Sequence, residues 1–283
     1  MKLSVINYLI PGLLLLCSCA RSRQQITNPA SEYKLVWSDE FNYTGLPDST
    51  KWTYEEGFIR NHESQYYTYE RPQNAWVHDG YLEIKAIKED YPNKFYKRES
   101  TNWVTRDSLA HYTSACLVTS GKESWKYGKI EVRAKIPHGQ GIWPAIWMMG
   151  ADRLQVGWPA CGETDIMEFI GRDSSHIYGT MHYPSANGPA SNGTKTETMQ
   201  AYNDFHVYGL EWDSTKMKIS FDSTVYQTFP VNDATLNGDN PFRKPFYLLI
   251  NLALGGAWGG PVADSVLPQS YLIDYVRVYQ RVP

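Results

Sequence analysis

Residues 129–136 read KIEVRAKI, and polar and apolar side chains alternate through the whole stretch. Because successive side chains of a β-strand point to opposite faces of a sheet, this order predicts a strand with one charged face and one core face. Segments 81–86 (YLEIKA), 217–221 (MKISF) and 275–279 (YVRVY) repeat the alternation. Residues 246–254 (FYLLINLAL) are almost entirely apolar, which is typical of a strand covered on both faces.

Turn signals separate these segments and indicate the fold class. Examples are the Gly-containing pairs at 79–80, 192–193 and 237–238. No segment has the periodicity of an amphipathic helix of three turns. Many short strands with frequent turns predict an all-β sandwich or jelly roll. Because no linker interrupts residues 33–281, we expect one domain.

Composition excludes two classes of protein. The chain has 283 residues, of which 42% are hydrophobic and 20% charged, and this balance argues against disorder. The net charge of −3 argues against a nucleic-acid partner that requires phosphate neutralisation. Aromatic residues make up 14% of the chain. Such residues fill the cores of sandwiches and also line ligand sites, and composition alone leaves both roles open.

The amino terminus is predicted to be a targeting segment. Residues 1–18 have a basic start and a short apolar stretch, which fits an export signal better than a membrane-spanning helix. The end of this stretch, 16–19 (LCSC), resembles a bacterial lipobox and predicts a lipid on Cys19; an ordinary secretory signal is the alternative. Residues 19–32 would then form the anchor and a polar tether, and residues 33–283 the folded domain. We therefore expect an exported lipoprotein anchored in a bacterial membrane. The outer membrane is the favoured location, and exposure at the cell surface is one form of this hypothesis.

Two cysteines remain in the predicted domain, Cys116 and Cys161. Cysteines of an exported protein can form a disulfide, but the sequence does not show whether these two meet. Their pairing is left open.

The acidic stretch 162–171 (GETDIMEFIG) is the strongest indication of chemistry. It places Glu163, Asp165 and Glu168 among strand-forming neighbours, where like charges cost stability. In a regular strand Glu168 would point to the opposite face from the other two acids. A β-bulge at 166–167 would restore the parity and bring all three to one face.

Two carboxyl groups on one face suit glycosidase chemistry, and retaining glycosidases hold them about 5–5.5 Å apart. The alternatives are a calcium site and a solvated acidic edge. The apolar residues Ile166, Met167 and Phe169 favour an interior strand over a calcium loop.

The pattern Glu-x-Asp-x-x-Glu and its flanks resemble glycoside hydrolase family 16, specifically the laminarinase-like endo-β-1,3(4)-glucanases. The resemblance covers nearly all of 33–280 and implies a concanavalin-like β-jelly roll of two antiparallel sheets, with a cleft on the concave face. It also implies retention of anomeric configuration. The segments that carry it besides the acids are 37–41 (WSDEF), 74–80 (NAWVHDG), 127–133 (YGKIEVR), 141–147 (GIWPAIW), 158–162 (WPACG) and 274–279 (DYVRVY).

By position, the resemblance implies a role for each acid. Glu163 is the expected nucleophile, Glu168 the expected general acid/base, and Asp165 the helper between them. A nucleophile must be ionised, and a general acid must hold a proton at the working pH. The resemblance implies no cofactor for catalysis.

The resemblance also implies a set of sugar-binding residues. The alternative is core packing for any single Trp, a solvated strand face for Glu131 and Arg133, and a structural or surface role for His182. Tyr66 and Tyr67 are weaker candidates. The predicted substrate-binding residues are Asn74, Glu131, Arg133, Trp143, Trp147, Trp158, His182, Asn251 and Trp258.

Three further positions bear on the resemblance. Cys116 stands where close relatives usually have Arg, and Ala253 replaces the Trp of the lichenase branch. Many family members bind a structural calcium. Asp274 matches the position of the carboxylate that binds this calcium, and the Gly80 backbone is the expected second ligand. The alternative is that Asp274 forms a surface salt bridge.

The resemblance and the acid motif together favour a retaining endo-β-glucanase, expected to be a monomer, that cuts β-1,3-glucan or mixed-linkage β-glucan. A glycan-binding lectin on the same scaffold is one alternative. The other is an enzyme acting on a galactan such as agar or porphyran, or a transglycosylase. Because no basic cluster lies near the acids in the sequence, we favour a neutral glucan.

Overall fold

The computed structural model describes residues 33–198 and 200–282. The predicted export segment and tether, with Cys19, lie outside these residues. The strands are β1 Tyr33–Asp39, β2 Thr53–Tyr54, β3 Tyr66–Tyr67, β4 Ala75–His78, β5 Tyr81–Pro92, β6 Leu109–Ser114, β7 Cys116–Val118, β8 Gly128–Lys135, β9 Ile142–Gly150, β10 Glu163–Ile170, β11 Asp173–Ser185, β12 Gly188–Glu197, β13 His206–Trp212, β14 Lys216–Phe221, β15 Thr224–Pro230, β16 Phe246–Leu254 and β17 Gln269–Arg281. The helices are α1 Arg153–Val156, α2 Gly256–Gly259 and the 3-10 turns Val231–Ala234, Pro241–Arg243 and Asp264–Val266.

The described strands form two sheets, which confirms the predicted all-β sandwich. The cleft sheet has seven strands in the order β12-β11-β10-β9-β16-β7-β2. The outer sheet has ten strands in the order β15-β14-β13-β8-β17-β5-β6-β3, with β1 added to β17 and β4 to β5. The pairing is antiparallel apart from β3 with β6, which is parallel. Consecutive strands of the chain are thus distributed between two sheets.

The main core lies between the sheets, and the predicted strand periodicity is confirmed. On β8, Ile130, Val132 and Ala134 are fully buried in this core, while the residues between them are partly exposed. Full burial of one such aliphatic side chain contributes about 1.5–3 kcal/mol. All nine residues of β16 are buried, as the apolar run predicts.

The two faces of the cleft sheet carry different clusters of buried side chains. On β9, Ile146 and Met148 belong to the main core, whereas Trp147 and Met149 belong to a second cluster on the opposite face. A side-chain period of two separates these sets. The second face supports the functional site.

The two cysteines are both buried free thiols, which answers the question that the sequence left open. The Cys116 thiol donates to Glu55 Oε2 at 3.1 Å, and Cys161 Sγ lies 3.4 Å from Met149 Sδ. In the described ranges, no helix has the length and apolar character needed to span a membrane.

Candidate active site

The predicted β-bulge is present in β10 and turns the three acids to one face. The pairing with β9 shifts register between Asp165 and Met167, and the pairing with β11 shifts between Asp165 and Glu168. Ile166 and Met167 are consecutive, yet both are buried in the main core. The extra residue restores the parity, so Glu168 emerges on the same side as Glu163.

The three acids open into one cavity on the cleft sheet. Strand β9 contributes two indoles to it, β16 contributes an amide, and a loop between β2 and β3 contributes two polar residues. The lining comprises Asn61, Glu63, Trp143, Ala145, Trp147, Glu163, Asp165, Glu168 and Asn251. The structure therefore assembles the predicted acids with three of the predicted substrate-binding residues.

Glu163 has the most favourable surroundings for a carboxylate. Burial raises its pKa, but His182, Arg60 and a hydrogen bond from Trp158 each act in the opposite direction. His182 lies opposite it on β11, with Nε2 at 3.9 Å from Glu163 Oε1. These neighbours oppose the effect of burial, but burial is the larger influence and the pKa of Glu163 remains above its usual range.

Asp165 is almost completely buried beside Glu163. Burial raises its pKa well above the usual range, and the charge of Glu163 raises it further. His182 Nε2 lies 3.1 Å from Asp165 Oδ2, without the alignment of a hydrogen bond, and His182 Nδ1 contacts Ser191 Oγ at 2.7 Å. Ser191 therefore orients the imidazole against the acids.

Glu168 is placed to hold a proton. Burial and the charges of Asp165 and Glu163 raise its pKa well above the usual range. The Trp143 indole N–H donates to Glu168 Oε1 at 3.1 Å and lowers the pKa, but by less than burial raises it. Environments that separate the pKa values of two carboxyl groups define an acid and a nucleophile.

Aromatic rings form one wall of the cavity. The Trp258 ring meets the Trp143 ring edge-on, with centroids 5.4 Å apart, and also contacts Tyr178 at 5.1 Å. Trp258, a predicted substrate-binding residue, lies in the short helix α2. Gly256, at φ 74°, allows the backbone of α2 to lie close to the Asn61 loop, because a Cβ at this position would lie 2.9 Å from the Asn61 carbonyl oxygen.

A chain of hydrogen bonds forms the cavity floor. The Trp147 indole donates to Asn251 Oδ1 at 2.7 Å, and Asn251 Nδ2 donates to the Tyr67 hydroxyl at 2.9 Å. The Tyr67 hydroxyl donates to Glu63 Oε2 at 3.3 Å. Tyr67 thus supports the site from below. Tyr66, the other weak candidate, packs against Phe58 away from the cavity.

Trp158 lies at the rim of the cavity. Its side chain is 48% exposed, and its ring centroid lies 6.1 Å from that of His182. An exposed indole beside a buried acid can receive the apolar face of a sugar.

Sequence reasoning missed Arg60, which lies beneath the cavity. Its guanidinium stacks over the Trp147 ring at 4.9 Å and pairs with Glu55. Glu55 also accepts from Cys116, the position where the resemblance leads one to expect Arg. A neighbouring loop therefore supplies a guanidinium to this region. Because that loop has no periodic pattern, the sequence holds no signal for this placement.

Three predicted sugar contacts are wrong. Glu131 and Arg133 lie on β8 of the outer sheet, where Glu131 pairs with Lys129 at 2.5 Å and Arg133 with Asp274 at 2.6 Å. Asn74 is fully buried, and its amide donates to the Lys85 carbonyl oxygen at 2.9 Å and to Thr113 Oγ1 at 3.0 Å. Alternation indicates a strand face but does not indicate the sheet.

The predicted calcium ligands do not fit a calcium ion. Gly80 lies in the turn that precedes β5, and Asp274 lies on β17 next to that strand. The Asp274 carboxylate is already neutralised by Arg133, whereas calcium takes about six to eight oxygen ligands. Within the described ranges, the one cluster of three His, Cys, Asp or Glu side chains with metal-ligand spacing is Glu163, Asp165 and His182, in the acid cavity.

A two-sheet jelly roll with two carboxyl groups of different pKa in an aromatic-lined cavity defines a glycoside hydrolase. The family model for glycosyl hydrolases family 16 matches residues 62–277. The chain belongs to that family, whose members need no cofactor for catalysis.

Relatives that act on glucans are among the similar proteins. A beta-glucanase of Rhodothermus marinus is 40% identical over 95% of this chain and 93% of its own. The solved laminarinase of Rhodothermus marinus superposes with a TM-score of 0.77 at 40% identity, covering 89% of this chain and 99% of its own.

Other similar proteins have different substrates. A structure from work on endo-acting O-glycanases, which members of the human gut microbiota express to initiate mucin breakdown, superposes with a TM-score of 0.83 at 37% identity. It covers 89% of this chain and 92% of its own. A keratan-sulfate endo-1,4-beta-galactosidase of Sphingobacterium multivorum is 34% identical over 90% of this chain and 57% of its own.

Proposed function

We propose that this protein is a retaining endo-β-glucanase that hydrolyses internal bonds of β-1,3-glucan, mixed-linkage β-1,3-1,4-glucan, or both. The observation that carries the proposal is the bulge in β10, which brings Glu163 and Glu168 to one face of an aromatic-lined cavity. The glucanase and laminarinase relatives support the polymer.

Each step of the double displacement has a residue with suitable surroundings. The Glu163 carboxylate attacks the anomeric carbon while Glu168 gives its proton to the departing glycosidic oxygen, and a glycosyl-enzyme ester forms. Glu168 then takes a proton from water, which attacks the same carbon and releases Glu163. Asp165, buried beside Glu163, raises the pKa of Glu168 and so favours the protonated acid that the first step needs.

A second candidate is an endo-β-galactosidase acting on mucin-type or keratan-type glycans. The O-glycanase structure and the keratan-sulfate galactosidase favour it. Both candidates share the same acids and differ in the sugar that the cavity accepts. Agar-type galactans and transglycosylation have no comparable support, and the lectin alternative gives the acids that the β10 bulge brings together no chemical role.

Product analysis separates the candidates. Laminarin, barley β-glucan, lichenan, agarose, keratan sulfate and mucin O-glycans are incubated with the protein, and product lengths and anomeric configuration are measured. Short β-configured oligosaccharides from laminarin or barley β-glucan support the glucanase. Products from keratan sulfate or mucin alone would replace it with the second candidate. Glu163→Gln is the inactive control.

We further propose that the chain is exported and anchored through a lipid on Cys19, and that the enzyme domain is monomeric. The lipobox-like stretch 16–19 supports the anchor. Cys19→Ser should move the protein from the membrane fraction to the soluble fraction. Calcium has no part in the proposal, because Arg133 engages Asp274.

A further inference from the structure

A second, larger hollow lies beside the acid cavity, with a volume of about 740 Å³. This size falls in the range of ligand pockets, about 300–1,000 Å³. Glu63 lines both hollows, so they meet at that residue. The lining comprises Phe58, His62, Glu63, Ser64, Tyr96, Trp103, Arg106, Asp107, Ser108, Leu109, Ala110, His111 and Tyr112.

The outer wall of this hollow is the segment 93–108, which is held in one shape. The Asn93 side-chain amide donates to the carbonyl oxygens of Val104 and Asp107, both at 2.9 Å. The Asn93 backbone N–H donates to the Ser108 carbonyl oxygen at 2.9 Å. Because buried Asn93 ties both ends of the segment together, the wall is preformed.

The inner wall is the loop that also borders the acid cavity. Ser64 N–H donates to the Leu254 carbonyl oxygen at 2.7 Å, which attaches this loop to β16. The Glu63 carboxylate accepts from Gln65 Nε2 at 2.7 Å and from Asn61 Nδ2 at 3.2 Å. The inner wall of the hollow is therefore fastened to β16, which also holds Asn251 of the acid cavity.

The lining combines aromatic rings with balanced charge. Trp103 lies beside His62, with ring centroids 4.7 Å apart, and Tyr96 is 44% exposed. Arg106 pairs with Asp107 at 3.0 Å, and His111 contacts Asp90 at 2.6 Å. Since the one arginine of the lining is paired with an aspartate, the lining suits an uncharged ligand with apolar faces and hydroxyl groups.

We propose that this hollow is a sugar-binding subsite that takes an uncharged pyranosyl unit of the glycan whose cleaved bond lies at the acids. The inference rests on the proposed function and adds a binding site to it. A long glycan chain engages both hollows, whereas a short oligosaccharide reaches only the acid cavity. The subsite therefore contributes to the turnover of long substrates alone.

The test compares substrates of two lengths. Laminarin and 4-nitrophenyl β-laminaribioside, which has only two glucose units, are assayed with the wild type, Trp103→Ala and Tyr96→Ala. We expect kcat/KM on laminarin to fall about threefold to tenfold in each variant, as for the loss of one aromatic contact, and kcat/KM on the laminaribioside to stay unchanged. Trp103→Phe, which keeps an aromatic ring, should recover part of the loss.

Phe95→Ala is the matched control, because Phe95 lies exposed on the same segment but outside the lining. It should leave both substrates unaffected. Equal losses on both substrates, or no loss on laminarin, would overturn the subsite while the glucanase function stands. Failure of the wild type to cut laminarin would overturn the proposed function and the subsite together.

Discussion

Strands β8 and β10 both present charged side chains on the face away from the main core, but they lie in different sheets and have different neighbours. On β8, Glu131 pairs with Lys129, and Arg133 pairs with Asp274. On β10, Glu163, Asp165 and Glu168 adjoin one another, and no lysine or arginine within the described ranges forms an ion pair with them.

The comparison shows what turns a charged face into an active site. Opposite charges at a partly exposed surface neutralise each other and contribute little, typically about 0–1 kcal/mol for a pair. Like charges in a buried cluster raise the pKa of their carboxyl groups, as they do for Asp165 and Glu168. The β10 cluster costs stability and supplies a proton donor in return.

The largest expected effect comes from removing the nucleophile on β10. Glu163→Gln should lower kcat by at least about 10⁴-fold, since the glycosyl-enzyme cannot form. The equivalent change on β8, Glu131→Gln, should leave kcat unchanged. Both are measured by reducing-sugar release from the polymer that the wild type cuts. Comparable losses in the two variants would contradict the distinction between the strands.

A smaller effect concerns the pH dependence of activity. Glu168 must be protonated, so kcat/KM falls as the pH rises through its raised pKa. The Trp143 hydrogen bond lowers that pKa, and Trp143→Phe should therefore move the alkaline limb to higher pH, with KM raised about threefold to tenfold.

The control for this shift is Trp147→Phe. Trp147 lines the same cavity, but its indole donates to Asn251 and not to an acid. The alkaline limb of the kcat/KM profile of Trp147→Phe should stay at the pH of the wild type. A limb that moves equally in both variants would show that the indole hydrogen bond does not set the Glu168 pKa.

Replacing Glu168 should raise the stability of the fold, although it removes the proton donor that activity requires. The raised pKa of Glu168 means that the folded protein keeps a proton that the unfolded chain releases, so stability is lost as the pH rises from about 4.5 through the folded pKa. Glu168→Gln removes this loss and should raise the free energy of unfolding by about 1–2 kcal/mol near pH 8. Denaturant unfolding measures it, and destabilisation by the amide would refute the assigned cause.

The smallest effect is expected on the outer sheet. Asp274→Asn should change the free energy of unfolding by less than about 1 kcal/mol and leave activity unchanged, because it breaks one partly exposed ion pair. Thermal melts with added calcium or with EDTA should coincide for the wild type. A calcium-dependent rise in Tm that Asp274→Asn abolishes would restore the calcium site that the sequence suggested.

Much of the active site could be predicted from local pattern. The parity argument on 162–171 predicted the bulge at 166–167 because side-chain direction depends only on nearby residues. The same rule gives Trp143 and Trp147, which are four residues apart on β9, a common face, and both line the acid cavity. Neither inference requires knowledge of how distant segments meet.

The missed and misplaced residues share one cause. The resemblance implies a cleft position for Glu131 and Arg133, but both lie on the outer sheet, and the alternating pattern could not reveal this because it is identical in both sheets. Arg60 and Glu63 were not assigned, because aperiodic loops bring them to the acids through contacts with distant strands such as β9 and β16.

The sequence by itself determined the strands, the all-β class and the acid motif with its bulge, because a side-chain period of two is a local property of the chain. The tertiary structure decided which strands share a sheet, and hence which charges become paired and which become crowded. It also created the second hollow beside Glu63, whose walls come from segments separated in the chain. The pKa values that distinguish Glu163 from Glu168 depend on burial and neighbouring charge, and both arise only when these segments pack together.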